Sequence, residues 1–204
     1  MIFNAQGYAT DIITDKSLAW IESVRSSGVK ARLFLLMCYH KAPHRWWEAH
    51  PHHRHLYTDP IRAPKTFSDD YMNRAKAASL ARMRVAEDLT YLDIGLVQPE
   101  GPASIVGERL GDGPAHADRK VPAPEDVRNL KLIDKEDGTI FRFESADQLA
   151  DSKYQRYMQR YLRTIQSIDD SVGRILAYLD AQGLAESTIV MYSSDQGCFL
   201  GEHG

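Results

Sequence analysis

The longest regular pattern of apolar residues in the chain begins at Tyr154 and has the period of an α-helix. Large apolar side chains recur at steps of three and four, at Tyr157, Met158, Tyr161, Leu162, Ile165, Ile168, Val172, Ile175, Leu176 and Leu179. This spacing places them on one helical face. Gly183 follows where a residue free to adopt positive φ closes a helix, and Leu184 can fold back onto the last turn. The pattern predicts an amphipathic helix from Tyr154 to about Gln182.

Two continuous apolar runs predict buried strands. They are Leu33-Phe34-Leu35-Leu36-Met37-Cys38-Tyr39 and Thr188-Ile189-Val190-Met191-Tyr192. Both are too short for a helix and too apolar for an exposed strand, which is typical of a sheet covered by helices on both faces. A helix, a short loop and a buried strand form half of an α/β crossover unit, so the predicted fold class is α/β. Ligands of open α/β sheets gather beyond the carboxyl ends of the strands.

Weaker patterns predict two further helices. Thr10 or Asp11 can cap a helix that carries apolar residues through Val24 and ends at Ser26-Ser27-Gly28. A moderately amphipathic helix is predicted from about Tyr71 to Asp93, with Asp69-Asp70 as its cap. This second helix is expected to serve as scaffold.

Residues 98–150 are predicted to form an irregular insertion, because glycine, proline and scattered charges dominate its first half. Its glycine-rich stretch at 107–113 follows no buried strand, which argues against a phosphate-binding loop. Within the insertion, residues 131–133 and 139–143 are separated by Glu136-Asp137-Gly138 and indicate a small hairpin.

The composition narrows the class of protein but not its compartment. With 204 residues, 43% hydrophobic and 26% charged, the chain suits one soluble globular domain or part of one. A formal net charge of −3 argues against a nucleic-acid partner held by bulk electrostatics. The sequence shows neither a membrane-spanning apolar stretch nor an export signal. Two cysteines, Cys38 and Cys198, are too few to define a disulfide framework.

Polar residues after each apolar run are the candidate site. Asp195 and Gln196 offer two neighbouring oxygen donors, with Gly197 to turn the backbone, which suits a hard cation such as calcium. An ordinary turn is the alternative, and these residues alone favour it. After the first run, Lys41, His44 and Arg45 can present donors and positive charge to an anion. The alternative there is that Trp46 and Trp47 cover the sheet while the basic residues are solvated.

A histidine-rich stretch, His50-Pro51-His52-His53-Arg54-His55, follows closely. Imidazoles at successive positions do not converge on one ion as an i, i+4 pair on a helix does, and no nearby cysteine or carboxylate completes a ligand set. We expect this stretch to be a solvated loop.

The ordered set of motifs in the carboxyl-terminal part resembles the sulfatase family. The motifs are Ser167-Ile168-Asp169-Asp170-Ser171-Val172-Gly173-Arg174-Ile175-Leu176, Gly183-Leu184, Thr188-Ile189-Val190, Ser193-Ser194-Asp195-Gln196-Gly197 and Leu200-Gly201-Glu202-His203-Gly204. The resemblance implies an alkaline-phosphatase-like α/β fold and hydrolysis of sulfate esters. It assigns calcium binding to Asp195 and Gln196, and contact with the sulfate group or its leaving oxygen to His44. Lys41 to Arg45 are similar to the strand tip of a family branch that acts on sulfated amino sugars, so the expected substrate is a sulfated carbohydrate or an aryl sulfate.

The chain also departs from the family pattern. The formylglycine nucleophile of sulfatases is made from a cysteine or serine in a Cys-x-Pro-x-Arg-like motif, and neither Cys38 nor Cys198 lies in one. The first-strand aspartates that complete the calcium site, and a later substrate-binding lysine, have no counterpart either. Residues 1–204 are therefore expected to be an internal part of a sulfatase catalytic domain that binds calcium weakly and is inactive alone.

Two alternatives remain open from the sequence. One is a non-catalytic homologue that binds a sulfated glycan or a protein without cleaving it. The other is a phosphodiesterase or phosphonate hydrolase of the same superfamily, which would use two transition metals with more histidine and aspartate ligands.

Overall fold

The computed structural model describes residues 6–26, 33–80, 84–97 and 126–204. Its helices are α1 (Ala9–Arg25), α2 (Lys76–Leu80) and α3 (Ala146–Ala181), and its strands are β1 (Leu96–Val97), β2 (Leu132–Asp134) and β3 (Ile140–Phe141). Short 3-10 helices span Pro51–His53, Leu92–Ile94, Val127–Asn129 and Ala185–Ser187. No helix in the described ranges is long and apolar enough to cross a membrane.

The chain divides into two compact units. The first unit contains the described residues of Met1–His44, Ala49–Leu56 and Tyr161–Gln196, and the second contains those of Arg45–Glu48, Tyr57–Arg160 and Gly197–Gly204. Helix α3 therefore contributes its carboxyl-terminal part to the first unit and its amino-terminal part to the second. We describe each unit separately.

The predicted long helix is confirmed and begins earlier than expected, at Ala146. The helix ends at Ala181, close to the end predicted from Gly183 and Leu184. Gly183 has φ +64°, and its N–H donates to the Asp180 carbonyl at 3.0 Å. The N–H of Leu184 donates to the Leu179 carbonyl at 2.8 Å, which closes the last turn as predicted.

The face that α1 buries in the first unit is polar and small rather than apolar. Its buried residues are Thr10, Thr14, Ser17 and Ile21, and α3 likewise buries Thr164, Ser167 and Ser171. Thr14 and Ser171 hydrogen-bond through their hydroxyl oxygens at 2.6 Å. Small side chains allow the two helices to approach closely, and the hydroxyl contact satisfies polar groups that would otherwise be costly to bury.

Neither Thr10 nor Asp11 is the cap of α1. The helix begins at Ala9, and its N-cap residue, Tyr8, makes no side-chain capping bond. The predicted cap is wrong because the Thr10 side chain is buried in the helix instead.

Neither apolar run forms a helix or a paired strand in the described chain. Leu33, Leu35, Met37 and Tyr39 are 64% to 100% exposed. The alternate side chains are half-buried: the Phe34 ring lies 5.8 Å from that of Trp20, and Cys38 Sγ lies 3.4 Å from Ser17 Oγ. Residues 189–192 are 53% to 89% exposed. The predicted burial of both runs is therefore wrong, since no described segment supplies the ladder partner and the second covering face that burial requires.

The second unit contains a small three-stranded antiparallel sheet in the order β1-β2-β3. Leu96 pairs with Asp134, and Leu132 pairs with Phe141. The hairpin formed by β2 and β3 confirms the pattern at 131–143. The described part of the predicted insertion is thus ordered, and α3 already begins within it. Residues 98–125, including the glycine-rich stretch, lie outside the described residues.

Basic residues of α3 hold this sheet and its neighbouring loops. Arg156 donates to the Ile94 carbonyl at 2.5 Å and to the Asp134 carboxylate at 2.7 Å. Arg160 binds Glu136 at 2.8 Å. These contacts are made by largely buried side chains, so the amino-terminal part of α3 packs through paired charges as well as apolar groups.

The helix predicted from Tyr71 to Asp93 does not form over that range. Only Lys76–Leu80 is α-helical within its described residues, apart from the 3-10 turn at Leu92–Ile94. Asp69 and Asp70 accept hydrogen bonds from the backbone N–H groups of Tyr71 and Met72, each two residues on. These local turns replace a helical cap, and Tyr71 itself has φ +58°, which a helix cannot accommodate.

Candidate functional site

Asp195 and Gln196 lie in an exposed turn of the first unit, shortly after the second apolar run. Ser194 Oγ donates to the Gln196 carbonyl at 2.6 Å, so the turn is stabilised without the Asp195 carboxylate. Neither the carboxylate of Asp195 nor the amide of Gln196 has a hydrogen-bond or ion-pair partner among the described residues. Both sets of oxygen atoms are therefore open to a ligand that approaches from solvent.

The chemistry of these donors fits a calcium ion, which prefers carboxylate and amide oxygens, but two side chains supply only part of the usual six to eight ligands. Within the described ranges, no group of three or more His, Cys, Asp or Glu side chains is arranged to hold a metal ion. The turn thus suits a contribution to a calcium site rather than a complete one.

His44 is also exposed and belongs to the same compact unit as Asp195 and Gln196. Its backbone N–H donates to the Lys41 carbonyl at 2.9 Å, which closes a turn after the first apolar run. All three predicted site residues therefore lie just beyond one of the two apolar runs. An exposed imidazole can donate a hydrogen bond to an anionic oxygen or pass a proton to one.

The two tryptophans after His44 have different environments in the second unit. Trp47 is 7% exposed and its ring lies 4.7 Å from that of Tyr157, whereas Trp46 is 45% exposed. Arg45 forms an ion pair with Asp93 at 3.5 Å rather than remaining simply solvated. Of the two tryptophans, only Trp47 is packed into the unit, against Tyr157 of α3.

A buried polar chain in the first unit had no sequence signal. The Nε2 atom of His40 lies 3.1 Å from Ser171 Oγ and 3.6 Å from Cys38 Sγ. Its Nδ1 atom is buried and has no hydrogen-bond partner among the described residues. Burial lowers the pKa of the His40 imidazole. The contact between His40 and Ser171 joins residues far apart in the sequence, so only the packed structure reveals it.

The expectation that the histidine-rich stretch is solvated is wrong for His50 and His53, whereas His52 and His55 are exposed as expected. His50 Nε2 lies 3.1 Å from the Asp11 carboxylate, and His53 Nε2 lies 2.8 Å from that of Asp170. The His53 Nδ1 atom also contacts Ser167 Oγ at 3.1 Å. The two imidazoles are mostly buried because acidic residues of α1 and α3 provide partners that are distant in the sequence. They attach the Pro51–His53 turn to both helices.

His203, within the Gly-Glu-His-Gly motif, is fixed by several contacts of the second unit. Its Nδ1 atom lies 2.9 Å from Asp69, its backbone N–H donates to Thr66, and its carbonyl accepts from the Tyr71 hydroxyl. Its φ of +64° is uncommon for a residue with a side chain. Arg74 also binds Asp69, at 2.9 Å. Part of this motif therefore stabilises loops of the fold.

Comparison with known proteins agrees with this architecture. The family model described as Sulfatase matches residues 1–204. The N-acetylglucosamine-6-O-sulfatase of Bacteroides thetaiotaomicron is 35% identical over 209 residues, which cover 98% of this chain and 35% of that protein. Human iduronate 2-sulfatase is 48% identical over 46 residues, covering 22% of this chain and 8% of that protein. PehA of Trinickia caryophylli, a multifunctional alkaline phosphatase superfamily protein, is 29% identical over 161 residues, which cover 71% of this chain and 30% of that protein.

The fold itself is shared with a solved structure. That protein was solved in complex with its substrate D-glucosamine-2-N,6-O-disulfate, and it superposes on this chain with a TM-score of 0.70 and 31% sequence identity. The match covers 98% of this chain and 40% of the chain of the solved structure. The chain belongs to the sulfatase family and has the alkaline-phosphatase-like fold in part. It spans about a third of the length of the Bacteroides relative.

Proposed function

We propose that this chain forms part of a sulfuric ester hydrolase that acts on a sulfated amino sugar. Support for the reaction comes from the family match along residues 1–204. Support for the substrate comes from two relatives, one named for N-acetylglucosamine 6-sulfate chemistry and one bound to a disulfated glucosamine. The observation that carries the proposal is the position of His44 and of Asp195-Gln196, exposed in one unit beyond the two apolar runs.

Hydrolysis of a sulfate ester requires positive charge around the sulfate oxygens and a proton for the departing alcohol. His44 would hydrogen-bond to the sulfate group or to the leaving oxygen. Its exposure leaves the imidazole accessible to a substrate from solvent. Asp195 and Gln196 would hold calcium, which supplies positive charge to the sulfate oxygens when it is bound.

Neither cysteine of this chain lies in a Cys-x-Pro-x-Arg sequence, so the residues present do not provide a formylglycine nucleophile of that form. The proposal therefore assigns binding and charge stabilisation to this chain, and turnover to the complete catalytic domain. A non-catalytic glycan-binding homologue would share the exposed His44 but would bind the sugar without releasing sulfate.

A chimera tests this assignment. The chain replaces the matching third of the Bacteroides relative, and sulfate release from N-acetylglucosamine 6-sulfate is measured. We expect the chimera to retain activity and Asp195→Ala to reduce kcat/KM by at least about a hundredfold, because an anionic metal ligand is lost. Glu186→Ala, at an exposed carboxylate of the same unit, is the matched control and should change little.

Near-normal turnover of a folded Asp195→Ala chimera would refute the metal assignment. If the chimera fails to fold, the isolated chain still decides the question by NMR. Calcium should shift the backbone resonances of Asp195 and Gln196 at millimolar concentrations, as expected for few ligands. No shift of these resonances at tens of millimolar calcium would contradict the proposal.

A further inference from the structure

His40 is the last packed side chain of the segment that leads to His44. In this segment, residues with even numbers from Phe34 to His40 are half-buried, whereas those with odd numbers from 33 to 41 are exposed. Phe34 and Cys38 contact α1. His40 instead reaches α3, where its Nε2 atom lies 3.1 Å from Ser171 Oγ. The imidazole therefore attaches the segment to a second helix four residues before His44.

The contacts around Ser171 determine which nitrogen of His40 carries a proton. Thr14 Oγ1 donates to the Thr10 carbonyl at 2.7 Å, and a hydroxyl group has one proton to donate. Ser171 must therefore be the donor in its 2.6 Å contact with Thr14. Its oxygen can then only accept from His40. The hydrogen-bond network thus assigns a proton to Nε2 of the imidazole.

The other ring nitrogen of His40, Nδ1, is buried and has no hydrogen-bond partner among the described residues. Protonation of Nδ1 would add a second N–H and a positive charge to the ring, with no described acceptor to receive them. Burial accordingly lowers the pKa of the His40 imidazole. The packed network therefore favours the neutral ring with its proton on Nε2.

The groups packed against His40 do not compensate a positive charge. Ser171 of α3 contributes a hydroxyl, and Cys38 of the same segment contributes a thiol at 3.6 Å. The side chains of α1 that complete the network are also hydroxyls, those of Thr14 and Ser17. The carboxylate next to Ser171 in the sequence, Asp170, is bound to His53 at 2.8 Å. Among the described residues, no carboxylate contacts His40.

The turn that carries His44 begins directly after His40. The N–H of His44 donates to the Lys41 carbonyl at 2.9 Å, and both of these residues are exposed. His40 is bound to α3 immediately before the turn. Its attachment therefore fixes the place from which the turn projects His44.

We propose that His40, as the neutral ring with its proton on Nε2, is a positioning residue that fixes the turn of His44 on α3, and that protonation of His40 releases this turn. The charged ring regains hydration only by leaving the network. Because the pKa of the folded state lies below that of the unfolded chain, about 6.5, the anchor is fully effective above that pH. It is lost as the pH falls through the lower pKa of the folded state. The effect on catalysis rests on the proposed function of His44, whereas the anchor itself does not.

NMR of the full chain tests the state of the ring without any activity measurement. The imidazole nitrogen resonances of His40 should show the proton on Nε2 at neutral pH. Its protonation midpoint should lie below that of His55, an exposed histidine of the same unit. Ser171→Ala removes the acceptor and should raise the midpoint of His40 towards that of His55.

The release of the turn is measured in a His44→Gln background, so that the imidazole of His44 does not contribute to the titration. The backbone amide resonances of Lys41 and Ala42 should move with the protonation midpoint of His40. Adding His40→Gln should keep them constant between pH 7 and pH 5, because a glutamine amide can donate to Ser171 but does not titrate.

The chimera with the Bacteroides relative tests the positioning role. His40→Ala should lower kcat about ten- to a hundredfold with little change in KM, because a displaced His44 imidazole assists the leaving oxygen poorly. His40→Gln should restore kcat to within about threefold of the parent chimera at neutral pH. His55→Gln is the matched control and should change neither parameter.

A proton on Nδ1 of His40, or a midpoint that does not lie below that of His55, would overturn the anchor. A midpoint that stays the same in a folded Ser171→Ala chain would also reject it, and circular dichroism verifies the fold. Normal kcat in the His40→Ala chimera, with turnover lost in Asp195→Ala, would overturn the positioning role while the proposed function stands. If the parent chimera shows no turnover, the NMR titrations decide, since they require only this chain.

Discussion

Two carboxylates, Asp69 in the second unit and Asp195 in the first, differ in how many partners the fold gives them. In the second unit, Asp69 receives hydrogen bonds from His203, Arg74 and the N–H of Tyr71, each at 2.9 Å. In the first unit, the exposed carboxylate of Asp195 has no partner among the described residues. Carboxylates bound from within the chain stabilise the fold, whereas an exposed one at a turn costs little to maintain and remains available to a ligand. Replacing Asp69 should therefore lower stability, whereas replacing Asp195 should impair ligand binding.

The largest effect on stability is expected at Asp134, which is 9% exposed and bound to Arg156. Burial lowers the pKa of the Arg156 guanidinium, and the neighbouring Asp134 carboxylate opposes that shift. Asp134→Ala would leave the cation buried without its counter-ion, so the free energy of unfolding should fall by roughly 3 kcal/mol. Urea denaturation followed by circular dichroism measures the change.

Asp59→Ala is the matched control for Asp134→Ala. Asp59 is an exposed carboxylate of the same unit, and it has no hydrogen-bond or ion-pair partner among the described residues. Its replacement should change the free energy of unfolding by less than about 0.5 kcal/mol. If both variants lose the same stability, the distinction between bound and unbound carboxylates fails.

Asp69 should have the next largest effect, and it should depend on pH. The hydrogen bond from His203, followed by that from the N–H of Tyr71, lowers the pKa of the Asp69 carboxyl. The unfolded chain therefore binds the proton more readily than the folded chain. The contribution of Asp69 to stability is fully present above the pKa of the unfolded chain, about 3.9. It is lost as the pH falls through the lower pKa of the folded state.

Asp69→Asn should therefore lower stability at neutral pH and flatten the decline in acid, as measured by urea denaturation between pH 6 and pH 2. Asp70→Asn serves as the control, because its amide oxygen can still accept from the N–H of Met72. Parallel acid profiles for the parent chain and Asp69→Asn would show that Asp69 does not carry this dependence.

The same contrast explains which elements the sequence could predict. The end of α3 depends on Gly183 and on residues within one turn of it, so a local pattern was sufficient. The hairpin of β2 and β3 likewise depends on a short turn. The helix proposed after Asp69-Asp70 failed because these carboxylates accept from N–H groups two residues on. The same residue types that cap helices also form such turns, and the sequence does not distinguish them.

Non-local contacts account for the remaining differences. The apolar runs at 33–39 and 188–192 were predicted to be buried strands, but pairing and burial require partners that no described segment supplies. His50 and His53 were expected in solvent, yet they bind Asp11 and Asp170. The assignments of His44, Asp195 and Gln196 rest on the family resemblance and on position beyond those runs, and their roles remain predictions.

The smallest effect on stability is expected at Asp195, and it sharpens the comparison most. Asp195→Ala should change the free energy of unfolding by less than about 0.5 kcal/mol, because the side chain is exposed and the Ser194–Gln196 hydrogen bond does not involve it. The same variant should abolish the calcium-dependent NMR shifts at Gln196. A loss of stability comparable to that of Asp134→Ala would mean that the carboxylate holds the fold. Unchanged stability together with lost calcium binding would mean that Asp195 serves to bind the ion, since a residue that contributes nothing to folding has its effect only when the ion is bound.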